Sequence, residues 1–257
     1  MKRIQVGGKM IGRADQPLIC SSLVGKSRVA ILDEVDSIVP KRPDLIEWRV
    51  DFFEALSDIA EVIDLVSAIK TAVAKIPVIF SFRTMSEGGG VCALNESDIL
   101  KLYVAACASR CVDFIDYEMS NSLASVTLLR EISRNSGVAM IMSYHDHQGT
   151  PDDEILEEKF AEAERLGADV AKVVVTPRHS NDVLSLLSAT QKASKKRAIP
   201  LISVAVGGIG AVSRVFGWAY GSSVTFASGR SKPVPGQMRI EELRSVLTSV
   251  SHALRGG

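Results

Sequence analysis

Asp169-Val170-Ala171-Lys172-Val173-Val174-Val175 is a run of apolar, mostly β-branched residues with one lysine inside it. Such a run reads as a buried parallel strand, covered on both faces, where a charge is disfavoured. A lysine in that setting either snorkels its amine to water along its own methylenes or has a partner or a task inside the protein. The rest of the chain bears on which.

Runs of the same kind recur on both sides, at residues 18–24, 44–50, 77–82, 112–118, 138–144, 200–206 and 223–227. Between them lie amphipathic stretches with helical spacing. Ile59, Val62, Ile63, Val66 and Ile69 form one; Leu156, Phe160, Ala163 and Leu166 form another, introduced by Thr150-Pro151-Asp152-Asp153, which reads as an N-cap, a proline at the first helical position and acids in the first turn. A last helix is predicted over residues 240–254. Ahead of the first run, Ile4-Gln5-Val6 and Lys9-Met10-Ile11 flank Gly7-Gly8, predicting a β-hairpin within residues 1–15. Eight strand-like runs alternating with helices, without a linker or a shift in composition, predict an α/β fold: a single (β/α)8 TIM barrel spanning residues 1–257, with an N-terminal hairpin. A doubly wound open sheet is the alternative, and no G-x-G-x-x-G follows the first run to support it.

Thirty basic and thirty acidic side chains cancel, and no like-charge run exceeds Lys195-Lys196-Arg197, so nucleic acid and membrane surfaces are poor partners and a small molecule is the better one. Cys20, Cys92, Cys107 and Cys111 show neither a disulfide framework nor zinc spacing. The basic Met1-Lys2-Arg3-Ile4 start is not followed by an apolar core, and nowhere do about 18 uncharged apolar residues run together. A soluble cytoplasmic protein is expected.

Barrel enzymes gather function at the C-terminal ends of their strands. In Leu45-Ile46-Glu47-Trp48-Arg49-Val50-Asp51 the period of two puts Glu47, Arg49 and Asp51 on one face, opposite the apolar Ile46, Trp48 and Val50. Arg83 ends the third run ahead of Glu87-Gly88-Gly89-Gly90; Asp116-Tyr117-Glu118 ends the fourth with acids at the same period; His145 ends the fifth. With Lys172 on the face of Val170 and Val174, the interior cluster is Glu47, Arg49, Arg83, Glu118, His145 and Lys172. These charges either neutralise one another, with Glu47 meeting Arg49, or form a site. His147, His179 and His252 read as surface residues, and His145 with His147 lacks a third metal ligand. Val206-Gly207-Gly208-Ile209-Gly210 is either a phosphate cradle or a tight turn into the helix carrying Arg214, whose fork suits a carboxylate. Residues 228–237 read as a lid loop.

A desolvated lysine beside Arg49 and Arg83 is expected to favour its free amine, which attacks carbonyls. His145 is then the base for an α-proton of the resulting imine. No metal or organic cofactor is called for.

Glu47-Trp48-Arg49-Val50-Asp51, Phe82-Arg83 with Glu87-Gly88-Gly89, Ser143-Tyr144-His145-Asp146 with Thr150-Pro151, Ala171-Lys172, Ser213-Arg214 and Pro235-Gly236-Gln237 together resemble type I 3-dehydroquinate dehydratase. The resemblance runs from Ser22 to the final helix. It implies a (β/α)8 fold and cofactor-free dehydration of 3-dehydroquinate to 3-dehydroshikimate in the shikimate pathway. Lys172 would form an imine with the C3 ketone, and His145 would take the C2 proton and return it to the leaving C1 hydroxyl in a syn elimination. Glu47, Arg49 and Arg83 would hold ring hydroxyls, Arg214 and Gln237 the carboxylate side, and Ser22 would line the site; a homodimer is implied. The chain departs from the family at Pro233, four places before the glutamine, and at Val204 and Val206, where relatives often carry methionines. A class I Schiff-base aldolase on the same fold and a non-catalytic barrel binding an anionic metabolite are the other readings. Retro-aldol cleavage of sugar phosphates would mark the first, and phosphate-ester binding without imine trapping the second.

Overall fold

The computed structural model describes residues 3–12, 16–229 and 235–255. Strands β1 (Ile4–Val6) and β2 (Lys9–Ile11) form the antiparallel hairpin, with Ile4 opposite Ile11. Eight parallel strands follow: β3 (Leu18–Leu23), β4 (Leu45–Arg49), β5 (Val78–Ser81), β6 (Phe114–Glu118), β7 (Ala139–Asp146), β8 (Val170–Val175), β9 (Leu201–Ala205) and β10 (Val224–Phe226). They pair in chain order from β3 to β9, with β10 beside β3. A bridge between Leu201 and Ser222, with the Ser223 N–H donating to the Leu201 carbonyl at 2.7 Å, brings β9 and β10 together and nearly closes the sheet. The open-sheet alternative falls on that closure.

Helices α1 (Arg28–Ile38), α2 (Ile59–Val73), α3 (Glu96–Ser109), α4 (Leu123–Ser136), α5 (Asp153–Arg165), α6 (Ser180–Lys196), α7 (Ala211–Phe216) and α8 (Ile240–Arg255) alternate with the strands. Helix α5 starts later than its sequence suggests. Asp152, not Thr150, is its N-cap, so Pro151 precedes the helix and does not open it.

Two apolar clusters position the charges. Ile46, Trp48, Phe80 and Val173 pack outward against helix residues such as Leu65 and Phe160, and burying each large side chain contributes about 1.5–3 kcal/mol. Inside the barrel, Cys20, Leu45, Ile79, Phe114, Ile141 and Val170 fill the N-terminal half, and Ile4, Val6 and Ile11 of the hairpin pack against them as a plug. Three aspartates brace this end: Asp44, Asp113 and Asp169 accept from the N–H groups of Ile19, Val78 and Met140, each at the start of the preceding strand or beside it, and pair with Lys9, Lys70 and Arg130. With apolar side chains closing the floor, the interior charges are confined to the C-terminal half.

The predicted lid is described at Ser228, Gly229 and residues 235–237; Pro233, with the rest of 230–234, lies outside the described residues, as do 1–2 and 13–15 of the hairpin segment. Ser228 and Arg239 form a bridge that brings the two ends of the loop together. A Cβ on Gly236, at φ +82°, would lie 1.9 Å from the Gly207 carbonyl oxygen, so only glycine fits where the loop returns against the turn after β9.

Candidate active site

In an eight-stranded barrel of this kind the register climbs about one residue per strand, so inward side chains from alternate strands stack in layers. Stepping from Lys172 on β8 across β7 to β6, the ladder leads to Glu118, and a two-residue stagger then selects Asp116. Repeating the step to β4 selects Glu47, and to β10, Phe226. The side chains obey this layering: Lys172 Nζ lies 2.7 Å from Asp116 Oδ2, 3.1 Å from Glu47 Oε1 and 5.1 Å from the centre of the Phe226 ring.

Lys172 does not snorkel; it is 5% exposed. Its neighbours also overturn the expectation of a depressed pKa set by Arg49 and Arg83. Burial pushes the amine towards neutrality, but the carboxylates of Asp116 and Glu47 push harder the other way and the net direction is upward. Lys172 therefore rests as an ammonium. Asp116 is buried too; burial alone would raise its pKa, yet Arg83 and Lys172 hold it well below the usual carboxylate range. Glu47 is held low by Lys172 against its own burial, and accepts from the Ser22 hydroxyl at 2.6 Å. Glu47 and Arg49 do not satisfy each other. Arg49 instead forks onto Asp51, at 2.8 and 2.9 Å, and lies over the Phe52 ring. Asp51 leaves the strand's charged face because the chain turns into a 3-10 helix at Val50–Phe52.

His145, one pleat beyond Ser143, which is Lys172's ladder partner, points to the same side of β7. Its Nδ1 lies 2.9 Å from Glu87 Oε2, and the same oxygen accepts from the His145 N–H at 3.0 Å. Burial drives the imidazole well below its ordinary pKa, and Arg83 and Lys172 add to the effect, so it is neutral at physiological pH. Glu87 follows β5 on a 3-10 turn, Met85–Glu87. Burial and the neighbouring Glu118 push its pKa up to about 7.

A cavity of about 150 Å³ opens at this end of the barrel, and Ser22, Glu47, Arg49, Arg83, His145, Lys172, Arg214 and Gln237 all line it. Val174, Val204, Val206 and Phe226 supply its apolar wall. Glu118, assigned to the cluster from the pleat, does not line it: its carboxylate is spent on Arg83 and on Thr84. Asp116 and Glu87 both stand in stretches quoted from the sequence, but the sequence reading places neither in the cluster. The stagger of the strands would have found the first; the second stands in the quoted Glu87-Gly88-Gly89 stretch, but only packing brings it from the turn after β5 to His145. His147, read as a surface residue, is exposed but also lines the cavity.

Arg214 is 5% exposed, and among the described residues its Nε has no partner and Nη1 reaches only the Phe226 carbonyl, at 3.3 Å. With no carboxylate beside it, burial lowers its pKa to about 10. A buried guanidinium without a counter-ion is a receptor for an anion. The glycine-rich stretch before it is a tight turn, with the Ala211 and Ser213 N–H groups bonded to Gly208 and Gly210. Among the described residues, a larger hollow of about 350 Å³ beside Trp218 and Gln191 has no acid or imidazole in its lining. Among the described residues no group of three or more His, Cys, Asp or Glu is arranged to hold a metal, and no helix is long and apolar enough to cross a membrane.

This geometry has close counterparts. The profile of the family described as type I 3-dehydroquinase matches residues 19–253. A 3-dehydroquinate dehydratase from Albidiferax ferrireducens is 45% identical over 256 residues, covering 100% of this chain and 97% of that protein. The crystal structure of 3-dehydroquinate dehydratase from Geobacillus kaustophilus superposes with a TM-score of 0.94 at 39% identity, covering 98% of this chain and 97% of that one. The type I enzyme from Clostridium difficile, crystallised with covalently modified comenic acid, gives a TM-score of 0.95 at 32% identity, over 98% of this chain and 100% of that one. By sequence and by fold along nearly its whole length, the chain belongs to the type I 3-dehydroquinase family.

Proposed function

We infer that the protein dehydrates 3-dehydroquinate to 3-dehydroshikimate through an imine on Lys172. The observation that carries this reading is the pairing, in one cavity, of a buried lysine nitrogen held by two carboxylates with a neutral imidazole held by a third.

Each part has a task. The Lys172 nitrogen sheds a proton and attacks the C3 ketone; loss of water from the carbinolamine leaves a protonated imine, which again carries a positive charge at that nitrogen. Asp116 and Glu47, which already hold the ammonium, hold the iminium in its place without rearrangement. The iminium draws electrons from C2, and His145, its Nδ1–H donated to Glu87, uses Nε2 to take the C2 proton. The C2–H electron pair becomes the enamine double bond. It then expels the C1 hydroxyl, which leaves as water on receiving the proton from His145. One imidazole serving both steps from one side makes the elimination syn. Hydrolysis of the conjugated imine frees the product and Lys172. Arg214, with Gln237, receives the substrate carboxylate, while Ser22, Glu47, Arg49 and Arg83 face the ring hydroxyls.

Incubation with 3-dehydroquinate and borohydride should leave a stable adduct on Lys172, and a Lys172→Ala variant that turned over at the parental rate would overturn the reading. Action as a cytoplasmic homodimer belongs to the same proposal; light scattering tests the assembly and cell fractionation the compartment.

A further inference from the structure

His145 lies in β7 and His147 just past its end, and their rings lie nearly parallel, 11° apart with centroids 6.4 Å distant. Both engage Glu87, but at different places. His145 meets the carboxylate; His147 Nε2 lies 2.9 Å from the backbone carbonyl oxygen. A carbonyl only accepts, so Nε2 of His147 carries the proton and donates it. The turn's own N–H groups close back on themselves, Glu87 and Gly89 donating to Thr84 and Gly88 to Met85. The ring also covers Gly88, where a Cβ would lie 2.2 Å from Nε2. The chain has no room for a side chain there while His147 holds this position.

We propose that His147 is a positioning residue for the dehydration: by donating to the Glu87 carbonyl it anchors the Met85–Glu87 turn to the chain just past β7 and so sets where the Glu87 carboxylate meets Nδ1 of His145. The inference rests on the reading of His145 as the base that takes the C2 proton. Loss of the anchor lets the turn drift, and displacement of a group that orients a catalytic base slows the step that the base performs. The imine step, which uses Lys172, Asp116 and Glu47 on other strands, is left alone.

Two substitutions separate the hydrogen bond from the bulk of the ring. His147→Phe keeps the ring and removes the donor, whereas His147→Gln places an amide N–H close to where Nε2 stood. In a single turnover, loss of the C2 proton is expected to slow roughly 3- to 10-fold in His147→Phe, the range for one neutral hydrogen bond. The borohydride-trapped imine should still form at the parental rate, and His147→Gln should restore proton loss to within about twofold. Unchanged proton loss in His147→Phe, equal slowing of both steps, or a His147→Gln variant as slow as His147→Phe would each overturn the proposal. His145→Ala serves as the control: if it turned over normally the assignment of the base itself would fail, whereas an inactive His145→Ala beside an unaffected His147→Phe would sink the positioning role alone.

Discussion

Lys172 Nζ sits 2.7 Å from Asp116 Oδ2, and both groups are buried. The proposed nucleophile is thus surrounded by negative charge, not by the cations that the sequence suggested, and its ammonium form is favoured. Asp116→Asn should lower the Lys172 pKa by about 1–3 units, as removal of a contacting opposite charge does. The pH dependence of cyanate modification, which needs the free amine, reads that shift directly. The same variant should lose turnover by roughly 10²-fold, because the iminium loses a preorganised partner. Easier modification of Lys172 together with undiminished turnover would show that Asp116 tunes the amine without serving the reaction.

Glu87, with a pKa pushed up to about 7, titrates where the enzyme works. Below that pH its carboxyl carries a proton and donates to His145 Nδ1, which moves the imidazole proton to Nε2 and removes the base. The kcat/KM profile should therefore fall on the acid side of about pH 7, and Glu87→Gln should abolish that limb while lowering the plateau. Stability runs the opposite way. A carboxyl whose folded pKa is raised contributes most below its unfolded pKa, and that contribution is lost as pH rises through the folded value. At pH 8 the parental protein carries the full cost of a buried carboxylate, and Glu87→Gln should unfold at higher denaturant there, by up to roughly 3 kcal/mol. An acid limb that persists in Glu87→Gln would assign it to another group.

The barrel was legible because its evidence is periodic: eight β-branched runs with amphipathic stretches between them leave few other architectures. Lys172 and His145 were legible for a related reason, being polar where an apolar residue belongs. Asp116 was harder. Asp116 and Glu118 share a face by the pleat, and choosing between them needs the strand stagger, which belongs to the closed sheet and is not present in any single segment. Glu87 and Arg214 mark a further limit. The first acts across the barrel mouth from a turn, and the second is informative through a missing partner, which only packing reveals.

Arg214 illustrates the tension between stability and binding. Among the described residues no carboxylate accompanies its buried guanidinium, a state that lowers its pKa to about 10 and disfavours the fold. Arg214→Met should raise KM roughly 10- to 100-fold, the range for losing a charge-assisted contact of about 1.5–3 kcal/mol. It should also leave the melting temperature unchanged or higher. A lower melting temperature with KM intact would mean that the arginine serves the fold instead of the substrate.

Tyr103 offers the converse case. It lies on α3, fully buried, edge-on to Phe80 at 5.4 Å and to Tyr117 at 5.1 Å. Its hydroxyl accepts from the Phe82 N–H at 2.8 Å and donates to the Asp116 carbonyl, tying the residue after β5 to β6 on the helix side of the sheet, opposite the cavity. In Tyr103→Phe the ring contacts survive but the Phe82 N–H is left buried without its acceptor, which costs about 1–3 kcal/mol. For a chain of this size that corresponds to a melting temperature lower by roughly 2–10 °C. Because the hydroxyl touches the backbone of Asp116 and not its carboxylate, kcat/KM should stay within about threefold of the parent, a change below 1 kcal/mol. A variant that melted normally yet lost turnover 100-fold would instead make Tyr103 a support for the Asp116 carboxylate across the strand.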